Sequence, residues 1–193
     1  VLTRENPVTQ IGQMGLEAVF LELTNIMAQS DTVIAAIIPK TYLTARGPEA
    51  VRFRQFLVQK FNIQLLFTYP GKGIFGNVMM DTCVVIGRKD CDNENDVKVI
   101  SSYIPIPDMN LQDFERALRQ PLNYEFMDLA NGIMGCVVTR EEAFQNATDG
   151  WRNFDSEILE ATRFMYDFIE NNLKFVQLRA LDYLNRRGNV GNS

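Results

Sequence analysis

Between Ile11 and Arg88 the apolar residues alternate between two spacings, and this alternation constrains the fold more than any other feature of the chain. From Ile11 to Gln29 they recur at helical intervals, as Leu16, Val19, Phe20, Leu23, Ile26 and Met27, which predicts an amphipathic helix. Thr32 to Ile38 is an apolar, β-branched run, the pattern of a strand covered on both faces as in a parallel sheet. Gly47-Pro48 opens a second helix, with proline at the first position, where its missing N–H is no loss. Val51, Phe53, Phe56, Leu57 and Phe61 give that helix a buried side. Asn62 ends it and Ile63 to Tyr69 reads as a strand. After Pro70 and a glycine-rich corner, Asp81 to Arg88 reads as a further strand, free to run antiparallel. Helix, strand, helix, strand, loop, strand is the order of an α/β layer structure.

Beyond Arg88 the pattern is looser. The acidic, turn-rich Asp90 to Asp96 reads as a surface loop, and Val97 to Tyr103 as a short strand. The two prolines of IPIPD impose an extended path. Leu111, Phe114 and Leu118 mark a short helix, and Ile133 to Thr139 one more strand. A helical pattern then runs from Phe154 to Asn185, long enough to break near Asn171-Asn172. The expected organisation is an α/β domain over residues 1–104 and an α+β, mainly helical connector over 105–193.

The chain has no histidine. That removes Ser-His-Asp and Cys-His catalysis, histidine zinc sites and imidazole proton shuttles. Cys83, Cys91 and Cys136 show no C-x-x-C spacing, so they read as reduced thiols and not as metal ligands. A net charge of −5 argues against gripping nucleic acid through bulk electrostatics, while leaving room for a local basic patch. No run reaches the roughly 18 to 20 apolar residues of a membrane span, and VLTRENPVTQ lacks a signal-peptide layout. The expected location is cytoplasmic, without a membrane partner.

Residues 71–76, GKGIFG, match G-x-G-x-x-G. A dinucleotide cradle needs a strand before the glycines and a helix after them, because the helix N-terminus holds the phosphates. Here a strand pattern follows, so the corner is a strand-to-strand loop carrying Phe75. An aromatic flanked by glycines has little around it for burial; Phe75 either presents its face to a ligand or folds back onto the sheet edge. Asn6-Pro7 is followed by Val8 and Thr9, and so lacks the second proline and the aromatic that engage an extruded adenine in the Asn-Pro-Pro-aromatic arrangement. Glu141-Glu142, and Asp155 with Glu157, read as solvated helix starts, where the dipole favours carboxylates. Arg186-Arg187, beside Gly188 and Gly191, is a bare basic pair: a phosphate contact or a solvated chain end.

The run from Gly12 to Arg88 resembles the later part of the catalytic domain of DNA adenine-N6 methyltransferases of type I, type IIG and related phage-defence systems. The resemblance rests on the strand ending in Ile38-Pro39, the following Tyr42-Leu43, a helix with Arg52 or Arg54, and Phe75 before the strand Thr82 to Ile86. It implies part of a Rossmann-like sheet using S-adenosylmethionine, followed by a mainly helical connector toward a target-recognition region. It further implies that Phe75 holds the flipped adenine, that Gly15, Leu16 and Phe20 lie beside the cofactor, and that Arg186 and Arg187 contact DNA. The glycine-rich cofactor loop and the intact Asn-Pro-Pro-aromatic motif have no counterpart among these residues. The expectation is therefore a piece of such an enzyme, inactive alone, whose partners are DNA and the remainder of the methyltransferase or other defence-system subunits. The alternative is a non-catalytic, methyltransferase-like interaction module in a defence complex.

Overall fold

The structure, a computed structural model, describes residues 15–70, 80–90, 96–151 and 154. All of these fall within one compact unit, Val1–Ile158; a second unit, Leu159–Ser193, lies outside the described residues together with the helical pattern predicted there.

Helix α1 (Leu16–Met27) leads into strand β1 (Val33–Pro39), a one-turn helix α2 (Thr41–Thr44), helix α3 (Pro48–Gln59) and strand β2 (Ile63–Thr68). Strands β3 (Thr82–Arg88) and β4 (Val97–Ser102) follow, then a 3-10 turn at Ile106–Asp108 and helix α4 (Leu111–Arg119). The hairpin β5 (Met127–Ala130) and β6 (Ile133–Val138) precedes helix α5 (Arg140–Gln145). Proline stands at the start of α3 as predicted, and Asn62, at φ 55°, makes the left-handed turn out of it that asparagine tolerates. Thr139 caps α5 by accepting from the Glu142 N–H at 3.1 Å, with Glu141 and Glu142 in the first turn as their spacing predicted.

The six strands form one mixed sheet in the order β1-β3-β2-β4-β6-β5. β3 runs antiparallel to both β1 and β2, while β2 and β4 are parallel. The sheet thus takes strands from both sides of residue 104. Ile34, Ile38, Leu66, Val85 and Val99 face α1, α3 and Trp151 on one side. Phe67, Tyr69, Ile100, Leu129 and Ile133 meet Ala117 and Phe114 of α4 on the other.

Two expectations are corrected. β1 is an outer strand rather than one covered on both faces: it pairs with β3 alone among the described strands, and Val33 and Ile37 are 63% and 53% exposed. In α1 the face turned inward is Ala18, Leu21, Glu22 and Asn25, whereas Leu16 and Phe20 are 72% and 64% exposed. Asn25 explains part of the choice, since its Nδ2 donates to the Lys60 carbonyl at the end of α3. At the same end of the helix, Lys89 Nζ donates to the carbonyls of Ile26 (3.1 Å) and Ala28 (2.7 Å), placing a cation at the negative end of the dipole. Strand β5 has no counterpart among the sequence expectations; its turn, Asn131-Gly132 with Gly132 at φ 69°, is a hairpin signal.

Gly87 shows how closely α3 and β3 meet. A Cβ there would stand 2.4 Å from the Phe61 carbonyl oxygen and 2.5 Å from its ring. Because backbone cannot step aside, Gly87→Ala is expected to destabilise by about 1–3 kcal/mol. Urea unfolding checks this, and a change within experimental error would contradict the packing.

A candidate substrate rim at the carboxyl ends of the strands

β1, β2 and β4 point the same way, so their carboxyl ends and the amino ends of β3 and β6 share one edge of the sheet. Open α/β sheets bind ligands outside the carboxyl ends of their strands. The glycine-rich corner emerges at this edge, between Pro70 and Met80. Residues 71–79, with Phe75, lie outside the described residues, as do Asn6, Pro7, Cys91, Asp155, Glu157, Arg186 and Arg187.

The two feet of the corner are fixed. Tyr69, buried at the end of β2, shares a 2.8 Å hydrogen bond with Thr82 Oγ1 at the start of β3. Burial pushes the Tyr69 phenol above its ordinary value, the bond to Thr82 opposing it, so the hydroxyl keeps its proton. The Lys40 N–H, just past β1, donates to the Asp81 carbonyl at 2.8 Å. Three consecutive strands are therefore tied together where the loop leaves. Next to them Thr68 donates to the Phe154 carbonyl at 2.9 Å, and Ser101 lies 2.7 Å from the Thr68 oxygen. These buried hydroxyls satisfy one another and close the middle of the rim.

The turn α2 carries the remaining contacts. Tyr42 and Leu43 occupy a helical turn and are buried. The Tyr42 hydroxyl accepts the Gly15 N–H and donates to Glu17 Oε1, both at 3.1 Å. Gly15, Leu16 and Phe20 are thus brought to the same end of the sheet as the glycine-rich corner. The residue that organises this region is Arg54, which the sequence offered only as one of two basic candidates on this helix. It is fully buried on α3, its Nε donates to the Ala147 carbonyl at 2.7 Å, and its Nη1 donates to the Tyr42 carbonyl. Its alternation with Phe53 and Phe56 was the available signal, because a basic residue on an apolar helix face must find internal acceptors. Arg52, the other candidate, is exposed. Cys83 and Cys136 are buried and outside any disulfide, and burial raises Cys136 to about 12, which leaves it unreactive.

A mixed, open α/β sheet with a polar and aromatic rim at its carboxyl edge is a Rossmann-like architecture. The comparisons sharpen this. The type IIG restriction endonuclease BpuSI matches over 90% of this chain and 19% of its own, with 39% identity and a TM-score of 0.72. The type I restriction-modification system methyltransferase subunit from Streptococcus thermophilus matches over 76% of this chain and 32% of its own, at 19% identity and TM-score 0.55. The M protein of the type I restriction enzyme EcoKI matches over 93% and 45%, at 16% identity and TM-score 0.54. No protein-family model and no curated protein matches the chain. The chain therefore has a restriction-modification methyltransferase-like fold, and it spans less than half the length of each of these proteins. Among the described residues no helix is long and apolar enough to cross a membrane.

Proposed function

We propose that this chain is the later part of the catalytic domain of an S-adenosylmethionine-dependent adenine-N6 DNA methyltransferase in a restriction-modification or phage-defence system. The observation that carries the reading is the β1 edge. Its outer side is unpaired among the described strands, and apolar groups stand exposed on both flanks: Val33 and Ile37 on the strand, Leu16, Phe20 and Met27 on α1. Such a surface fits the addition of further strands and helices, here the half that carries the cofactor loop and the Asn-Pro-Pro-aromatic motif. Its partners belong to the same proposal: DNA, with Arg186 and Arg187 as contacts, and the rest of the system.

S-adenosylmethionine, when bound, supplies an electrophilic methyl group on sulfonium sulfur. Leu16 and Phe20 fit one apolar wall of its site beside Gly15, and these residues offer no full enclosure. Phe75 is assigned the face on which the extruded base stacks, a contact worth about 1–3 kcal/mol. The residues that flank its loop are tied together, Tyr69 to Thr82 and Lys40 to Asp81. A second reading, a non-catalytic module in a defence complex, is favoured by the net charge of −5 and the absence of the catalytic motif from these 193 residues.

The natural-length polypeptide decides between them in a methyl-transfer assay on DNA, with and without residues 1–193. Transfer to adenine N6 that requires this segment supports the enzyme; no transfer by the natural-length protein leaves the interaction module. Phe75→Ala in the active protein is expected to lower kcat/KM roughly 5- to 150-fold while thermal unfolding stays near wild type. Equal loss of folding and activity would place Phe75 in the core instead.

A further inference from the structure

We infer that Tyr42 is a positioning residue: its hydroxyl sets where the amino end of α1 stands on the rim, and thereby the affinity for the methyl donor. The inference rests on the methyltransferase reading above. α1 starts at Leu16, after Gly15, which has no side chain to cap the helix, so the entry to the helix is held by an acceptor from elsewhere. Tyr42, 27 residues on in sequence, provides it: the hydroxyl accepts the Gly15 N–H and turns its own proton to Glu17 Oε1, each at 3.1 Å. Glu17 sits in the first turn, where the helix dipole favours a carboxylate. One hydroxyl thus fixes both the entry and the first turn of the helix that carries Leu16 and Phe20.

Tyr42 is itself held from behind. Its ring packs on Phe53 with centroids 4.6 Å apart, and its carbonyl receives the Arg54 guanidinium. Toward its far end α1 is tied through Asn25 to Lys60 and through Lys89 to Ile26 and Ala28. At the amino end the phenol joins the helix entry to α2. The inward residue nearest that end is Ala18, which offers little surface to hold it by packing alone.

Tyr42→Phe keeps the ring and removes both hydrogen bonds. In the natural-length protein it is expected to raise the Kd for S-adenosylmethionine roughly three- to tenfold, as part of the net strength of the two hydrogen bonds carries over to donor binding, with kcat at saturating donor within about twofold. In the donor-free protein, amide exchange at Gly15 to Ala18 is expected to accelerate while the β2 and β4 amides stay protected. Glu17→Ala, which removes the acceptor of the phenol proton and the first-turn carboxylate but leaves the bond to Gly15, should shift Kd in the same direction by less. A purely structural tyrosine predicts a lower unfolding midpoint with unchanged donor affinity, and that result, or both variants binding as wild type does, overturns the inference alone. Wild-type protein that binds no S-adenosylmethionine overturns the methyltransferase reading and the inference with it.

Discussion

Arg54→Ala is expected to cost about 3–5 kcal/mol of stability, through loss of buried hydrogen bonds and the cavity left behind. The guanidinium is fully buried and is held by two carbonyls, Tyr42 from α2 and Ala147 after α5, with Nη2 unpartnered among the described residues. Burial lowers its pKa to about 10, so the side chain keeps its charge at neutral pH. Because the unfolded chain binds that proton more tightly, this desolvation subtracts stability at every pH below about 10, and the loss is relieved only as pH rises past that value. Arg54→Met fills most of the space and removes the buried charge but still strands two acceptors, so it should fall between wild type and the alanine variant. Urea unfolding ranks the three. An Arg54→Ala protein as stable as wild type would mean that the guanidinium is not enclosed.

Trp151→Ala is expected to lose a similar amount, about 3–5 kcal/mol. The indole is buried beside Phe154 at 6.1 Å, its Nε1–H donates to the Ala143 carbonyl at 2.8 Å, and its backbone N–H donates to the Leu43 carbonyl at 2.7 Å. Gly150, at φ 90°, makes the turn that brings this backbone close to α2, a conformation that penalises any other residue. Trp151→Phe retains most of the apolar area and forfeits the bond to Ala143, so about 1–2 kcal/mol is expected. Circular dichroism against urea measures both. Trp151 is the single tryptophan, so wild-type emission reports this site directly; a solvent-exposed spectrum in the native state would contradict the enclosure.

Both residues meet at α2, the turn that also presents Tyr42 to Gly15. The candidate rim is therefore supported by residues distant in sequence: Arg54 and Trp151 hold the carbonyls of Tyr42 and Leu43, while Thr68 and Ser101 hold that of Phe154. A rim built this way keeps its backbone fixed without presenting side chains of its own to solvent, which suits a site whose reactive parts come from loops.

Most of the elements were legible as patterns. The apolar runs at β1, β2, β3, β4 and β6, the proline start of α3, the left-handed Asn62 and the capped start of α5 are all local, set by side-chain volume, β-branching and backbone φ within a few residues. The rejection of GKGIFG as a phosphate cradle was local too, since strand spacing followed it, and the adjacent antiparallel strands β2 and β3 agree. Strand β5 was legible through Asn131-Gly132 and was passed over because only four residues form it.

Partnership was decided by the tertiary structure alone. Helical spacing identified an apolar face on α1 but could not say whether this chain covers it; the fold turns Ala18, Leu21, Glu22 and Asn25 inward and leaves Leu16 and Phe20 outside. An apolar run could not distinguish a central strand from the outer β1, because both need the same side chains once a neighbour is added. The sequence left Arg52 and Arg54 as alternatives, and only the fold buries Arg54, since its acceptors are backbone carbonyls that no sequence pattern marks. Period and propensity act over a few residues and are fixed by the sequence; burial and hydrogen-bond pairing depend on which distant segments meet, and only the folded chain sets that.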